Sequence, residues 1–297
     1  MPFFSVIIPT YNRAVFLPQA IASVLSQTFS DFECIIVDDA STDSTSDIVA
    51  SFSDSRLVYI KNQENLERCR SRNKGIAAAQ GTYICFLDSD DYHEPFHLEV
   101  LYNYIQTHSL PQALIFTNAW DEKSGVRSER MCPPLHSYNV FHYIATYTFN
   151  PQRMCVHAHI CKTILFDPEV YVCEDLDFAA RIACAFPVFH IAERTTVYVH
   201  HGDSFTGGDS LKPFKELENY SRIFSKKELA GKFPRFTKWR LYSMCYFHMA
   251  IYYQKQRKFL HMYKCIVLSF LLCPAGYNKK TNKILFVLAV KGMFKKL

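Results

Sequence analysis

Glycine is scarce in this 297-residue chain, nine in all, and it is missing where two large ligand-binding classes need it. Between Ile8 and Leu17, the first strand-to-helix turn, there is none. The backbone there cannot close on a pyrophosphate as the G-x-G-x-x-G turn of a dinucleotide-binding domain does. A G-x-x-x-x-G-K-[ST] loop is absent from the whole sequence, so bound phosphates would need something other than a glycine cradle to hold them. No two cysteines have the C-x-x-C spacing. The eleven present are scattered and odd in number, which in a chain of this length reads as reduced thiols in cytosol and not as a disulfide framework or a zinc site. Long apolar runs are missing as well: stretches 266–273 and 284–290 are less than half the roughly 20 residues a spanning helix needs. The opening M-P-F-F-S-V-I-I-P-T has no basic segment and meets Pro9 too early for a secretory signal, so it is expected to be a first strand. Lys and Arg exceed Asp and Glu by only five, too slight a surplus to argue for nucleic acid.

A hydrophobic content of 49% is enough for one large core and an appendage. The chain is organised around 81–92, G-T-Y-I-C-F-L-D-S-D-D-Y. An apolar, β-rich run from Tyr83 to Leu87 reads as a strand buried on both faces, and Asp88, Asp90 and Asp91 follow it at once. In an open α/β sheet the carboxyl end of a strand is where ligands bind. Three carboxylates so close repel one another unless a cation or donor-rich ligand neutralises them, and Mg2+ or Mn2+ completed by phosphate oxygens suits such a set. An acidic turn capping a helix from Glu94 onward explains the same residues.

Around this stretch the chain alternates. A strand at 5–8, a helix with Leu17, Ile21, Val24 and Leu25, a strand at 32–37, a helix at 47–52 capped by Ser41 or Thr42, and a strand at 57–60 make parallel βαβ units. A polar helix over about 66–79 leads to the Gly81 strand. Later come an amphipathic helix to about Thr107, a strand at 113–118, a polar loop at 122–134, a helix at 138–147, and C-E-D-L-D-F-A-A-R, where Glu174 and Asp175 open a helix. Carboxylates at a helix N-terminus are favourable by themselves. A last strand from Val197 runs into His200 and His201, of which only one can face the site. From Lys212 the chain turns basic and aromatic, with helices at 233–254 and 258–273 and a Lys-rich end at 279–297. That pattern fits either helices on an anionic membrane surface or an ordinary appendage.

Taken in order, S-V-I-I-P-T-Y-N-R, I-I-V-D-D-A-S-T-D-S-T, S-R-N-K-G-I-A-A-A-Q-G-T-Y-I-C-F-L-D-S-D-D, C-E-D-L-D-F-A-A-R and V-H-H-G-D-S-F-T resemble the family 2 glycosyltransferases. The resemblance covers residues 3 to 207, and its first three blocks are the specific ones. It implies an α/β, Rossmann-like, mostly parallel sheet flanked by helices (the glycosyltransferase A-type fold), with a catalytic domain at 1–211 and a helical appendage at 212–297. It implies an inverting, metal-dependent hexosyltransferase using a nucleotide-sugar, UDP-linked by preference. Pro9, Thr10, Tyr11, Asn12, Asp39 and Ser89 would bind the nucleotide, with Arg72 or Asn73 reaching it from the other side and Asp88 on the ribose or metal. Asp90 and His201, with His200 the competitor, would hold Mn2+ or Mg2+, and Asp175 would be the general base supported by Glu174. The Q-x-x-R-W motif of processive members is absent, implying one sugar per encounter. The expected acceptor is a glycan or lipid-linked glycan, with the protein in the cytoplasm or peripheral on the inner membrane face and no nucleic-acid partner. The alternative is a catalytically silent nucleotide-sugar-binding protein on the same scaffold. His157 and His159 are expected to be packing or loop histidines.

Overall fold

The computed structural model describes residues 1–130, 132–147, 150–201 and 211–273, apart from the Ser137 side chain. Expectations placed on Met131, on 202–207 and on the Lys-rich 279–297 lie outside the described residues. The chain divides into two compact units, Met1–Gly202 and Asp203–Leu297.

In the first unit β1 (Phe4–Thr10), β2 (Phe32–Asp38), β3 (Leu57–Lys61) and β4 (Tyr83–Phe86) pair in parallel in the order β3-β2-β1-β4. Val6, Ile7 and Ile8 on β1 and Ile35, Ile36 and Val37 on β2 are wholly inaccessible, as strands covered on both faces must be. Helices α1 (Leu17–Leu25), α2 (Thr45–Ala50) and α3 (Glu67–Ala78) make the crossovers. Gly75 lets α3 lie close on β1, because a Cβ there would collide with the Ile7 side chain. That approach carries Arg72, one turn earlier, toward the carboxyl edge of the sheet.

The second half of the sheet is mixed. It comprises β5 (Tyr92–His93), α4 (His97–Thr107), β6 (Leu114–Lys123), β7 (Val126–Arg130), α5 (Val140–Thr146), β8 (Met154–His157), α6 (Ala158–Cys161), α7 (Glu174–Ala183) and β9 (Val188–His200). Strand β8 runs antiparallel between β4 and β6, β9 runs parallel to β6, and β5 closes the far edge against β9.

Several sequence expectations are corrected here. The stretch expected as a polar loop at 122–134 contains β7, an edge strand that shows no apolar face because it is solvated on both sides. Its hairpin turns at Ser124 and Gly125, both at positive φ (51° and 76°), the twist that a two-residue β-hairpin favours. Strand β9 begins at Val188, nine residues before Val197. Helix α2 starts at Thr45 with no side-chain cap. The Ser41 hydroxyl accepts from the Asn12 amide at 2.9 Å instead. Helix α4 starts at His97 with no side-chain cap, so the acids at 88–91 do not cap it.

The second unit contains α8 (Lys212–Ser225), α9 (Arg235–Lys255) and α10 (Phe259–Leu272). Met249, Ala250, Met262 and Cys265 form its core between α9 and α10. Among the described residues no helix is long and apolar enough to cross a membrane.

Candidate active site

The ends of β1, β2 and β4 converge because all three strands point the same way, with Thr10 in register with Asp38 and Ile7 with Phe86. Each end then turns sharply. After β1, Asn12 sits at φ 51° and its side-chain oxygen accepts from the Thr42 amide at 2.8 Å, tying the first turn to the second. Tyr11 stays 46% exposed at the rim, whereas Thr10 is buried and its hydroxyl has no partner among the described residues. Pro9 is half-buried. Asp39 is buried, and its Oδ1 accepts from Asn62 Nδ2 (2.7 Å) and the Leu66 amide (2.8 Å).

The D-S-D-D segment is a turn closed by the Asp91 amide on the Asp88 carbonyl at 3.1 Å, and it sorts its acids by direction. Asp91 points inward, 2% exposed, accepting from Gln152 Nε2 (2.5 Å) and the Val199 amide (2.8 Å). Burial, then the charges of Asp90 and Asp88, push its carboxyl well above the ordinary value. Ser89 is buried. Asp88 and Asp90 stay partly accessible. The expected three-carboxylate cluster is therefore a partly accessible pair and a third, buried acid that fastens β9.

At the end of β9 the two histidines part company. His200 Nε2 lies 2.8 Å from Asp121 Oδ1, and His201 Nε2 lies 3.0 Å from Asp90 Oδ2. The His201 ring also stacks on Phe16, with centroids 4.3 Å apart. Among the described residues no group of three or more His, Cys, Asp or Glu could hold a metal. Asp90 and His201 nevertheless offer one carboxylate and one imidazole side by side, both partly accessible. Such a two-donor set fits an ion that completes its shell with substrate phosphates and water, and does not fit an ion held by protein alone.

Arg72 joins the two halves of the site. Its guanidinium donates through Nη2 to Asp88 Oδ1 at 2.7 Å and through Nη1 to Glu174 Oε1 at 3.0 Å, over the Phe166 ring. Arg68 Nε approaches the same Glu174 oxygen at 3.5 Å. Asn73 behaves differently. Its amide donates to the Phe166 carbonyl (2.8 Å) and accepts from the Phe166 amide (2.9 Å), clasping α3 to the chain ahead of α7.

Cys173, at φ 64°, turns the chain into α7. A left-handed conformation in a residue with a side chain is strained and recurs where geometry serves function. Burial alone would raise the Glu174 carboxyl, but Arg68 and Arg72 outweigh it and hold it below the ordinary range. Asp175 is half-buried, accepts from the Leu176 amide at 2.7 Å, and has no ion pair among the described residues. Burial, then the neighbouring Glu174 charge, push it up to about 7. An adjacent acid pair with separated affinities can hold one fixed charge and exchange one proton near neutrality. Arg181 is bound within its own helix by Asp177 at 2.8 Å. His157 caps α6, accepting from the His159 amide at 3.2 Å.

The chain is similar to known glycosyltransferases. The model of the family described as glycosyl transferase family 2 matches residues 5–164. The putative colanic acid biosynthesis glycosyl transferase WcaA of Escherichia coli K12 is 30% identical over 243 residues, 80% of this chain and 85% of that protein. The UDP-Glc:alpha-D-GlcNAc-diphosphoundecaprenol beta-1,3-glucosyltransferase WfaP of Escherichia coli is 45% identical over 92 residues, 31% of this chain and 37% of that protein. Among solved structures, S. aureus TarS 1-349 in complex with UDP-GlcNAc superposes with TM-score 0.65 at 17% identity, over 98% of this chain and 88% of that one. Mannosyltransferase PcManGT from Pyrobaculum calidifontis, in complex with GDP-Man and Mn2+, superposes with TM-score 0.62 at 18% identity, over 100% and 88%. At such identities the structural likeness speaks for the fold, which is of the glycosyltransferase A type.

Proposed function

The chain belongs to glycosyl transferase family 2, and from that premise we propose that it moves one sugar, with inversion, from a nucleotide-sugar to a hydroxyl of a lipid-linked glycan during cell-envelope polysaccharide synthesis. The observation that carries the mechanism is the bridge through Arg72, which sets the acid pair of α7 beside the strand ends. The catalytic unit is the first, Met1–Gly202.

In this mechanism Tyr11 stacks on the base from the rim, and Asp39 uses the oxygen not engaged by Asn62 and Leu66 to accept a base N–H. Asp175 takes the proton of the acceptor hydroxyl while that oxygen attacks the anomeric carbon. The bond from that carbon to the diphosphate breaks on the opposite side, and its electron pair leaves with the nucleoside diphosphate. Asp90 and His201 are the residues that would hold a divalent ion, Mn2+ or Mg2+, and when bound it would neutralise the charge that gathers on the departing diphosphate. Arg68 and Arg72 keep Glu174 ionised, and burial together with that fixed charge holds the Asp175 proton affinity near neutral pH.

UDP is the favoured nucleotide, because WfaP and the TarS complex are named with UDP-sugars, and the lipid-linked acceptor follows the name of WfaP. The test is a thermal-shift screen against UDP-, GDP- and dTDP-sugars with and without Mn2+, followed by turnover with the donor that binds. A ligand at a hundred times its dissociation constant stabilises by about 2.7 kcal/mol, several degrees in the midpoint. Metal-dependent stabilisation together with release of nucleoside diphosphate supports the reading. Stabilisation without turnover on any glycan acceptor would leave a silent nucleotide-sugar-binding protein in its place.

A further inference from the structure

After Glu228 the chain contains no Asp or Glu and fourteen Lys and Arg. A formal charge of only +5 over the whole chain thus hides an acidic first part and a strongly basic end. Eight of those cations fall on described residues, and Lys255, Arg257, Lys258 and Lys264 are exposed on or just before α10.

Helix α10 is oriented by its contacts with α9. The Ser243 hydroxyl donates to the Ser269 carbonyl and the Ser269 hydroxyl to the Ser243 carbonyl, both at 2.9 Å, and Met262 and Cys265 are buried on the same side. The opposite side is apolar and, among the described residues, exposed. Leu260 (67%), Val267 (55%), Leu268 (40%), Phe270 (56%) and Leu271 (69%) are exposed along it, with Lys264 in their midst. A patch of this kind marks an interaction surface.

We propose that this face of α10 docks on a lipid surface carrying anionic headgroups. At 14 residues the helix is about 21 Å long, too short to cross the roughly 30 Å of a bilayer core, so it would lie in the interface plane. Its aliphatic side enters the acyl boundary while the cations reach headgroup phosphates. A second copy of this chain fits less well, since a two-fold contact through this face would bring like charges together. The placement deepens the lipid-linked acceptor reading and rests on it for its purpose, but the surface stands on the geometry of α10.

The experiment is flotation of the full-length chain with phosphatidylcholine vesicles, with and without phosphatidylglycerol, in the absence of donor and acceptor. Two variants are compared with the wild type: Val267→Asp with Leu271→Asp, and Lys255→Glu with Arg257→Glu and Lys258→Glu. The expected result is flotation only with the anionic lipid, weakened by salt and lost in both variants. Each basic residue near the surface is worth about fivefold in partitioning, so the triple variant should fall by more than about a hundredfold. Unchanged melting midpoints and unchanged turnover of a soluble acceptor analogue would show that the variants fold and that the catalytic reading stands apart. Equal flotation of wild type and variants, no flotation at all, or a dimer that Leu271→Asp dissociates would overturn the proposal.

Discussion

Arg72 and Glu174 are 102 positions apart in the chain and 3.0 Å apart in the fold. The same guanidinium holds Asp88 at 2.7 Å, and only 2% of the arginine side chain is exposed. Removing one partner of a buried ion pair costs about 3–5 kcal/mol, because the remaining charges stay buried without compensation. Arg72→Ala should therefore lower stability by that order in a denaturant titration and abolish turnover. Arg72→Lys is the sharper test. A point charge cannot bridge two carboxylates as a planar fork does, so this variant should keep most of the stability and still lose more than tenfold in kcat/KM.

Asp175 carries the second expectation. With its carboxyl pushed up to about 7 by burial and by Glu174, kcat should rise as pH is raised through about 7 and the base loses its proton. Asp175→Asn should cost about 10²–10⁴ in kcat while leaving the donor dissociation constant unchanged. Stability should move the other way. A folded-state affinity above the ordinary 3.8 means that the folded chain binds the proton more tightly than the unfolded one, so this group destabilises progressively between about pH 4 and 7. The asparagine variant should melt higher than the wild type at pH 8, and the gap should close on acidification to pH 4.

Much of this is legible in the amino-acid sequence. β1, β2 and β4 announce themselves as β-branched or apolar runs broken by hydroxyls and acids, because a doubly covered strand has no polar side and its end meets ligand and solvent. Arg72 was harder. It lies in a polar helix with no apolar stripe, and its burial depends on Gly75 admitting α3 to β1 and on a glutamate from a distant segment. Asn73 beside it looked equally suited to a ligand, yet it serves the Phe166 backbone. Spacing could not separate Asp91 from Asp88 and Asp90, because the turn that points one inward and two outward is a local backbone choice. Nor could it reveal Cys173 at positive φ or an edge strand polar on both faces.

That sorting of acids separates two substitutions of similar appearance. Asp90→Asn or His201→Asn should remove the Mn2+ dependence of donor binding in a thermal-shift titration, with little change in the melting midpoint of the ligand-free protein. Asp91→Ala should do the reverse. It strands Gln152 and the Val199 amide without their acceptor, at a cost of about 1–3 kcal/mol, and what remains folded should respond to Mn2+ as the wild type does.

The last expectation concerns two buried histidines, His93 at the end of β5 and His97 at the start of α4. His93 and His97 are buried and stacked with centroids 3.7 Å apart, His93 Nε2 lying 3.1 Å from the Gln152 carbonyl and His97 Nδ1 2.7 Å from the Thr195 hydroxyl. Burial lowers His93 from 6.5 to about 4 and His97 well below 6.5, the second helped by repulsion from His93. Both rings are neutral in the folded chain at pH 6, whereas the unfolded chain protonates them. Their contribution is thus complete above about pH 6.5 and lost as pH falls toward 4, at up to about 1.4 kcal/mol per pH unit for each ring. Raised carboxylates such as Asp175 act in the opposite sense over the same window, so the wild-type slope alone cannot isolate the pair. The comparison with His93→Phe/His97→Phe can, because the carboxylate terms are common to both proteins and cancel. Equilibrium unfolding measured between pH 7 and pH 4.5 should show the variant losing less stability on acidification than the wild type, and parallel curves would mean that the stacked pair titrates as it does in water.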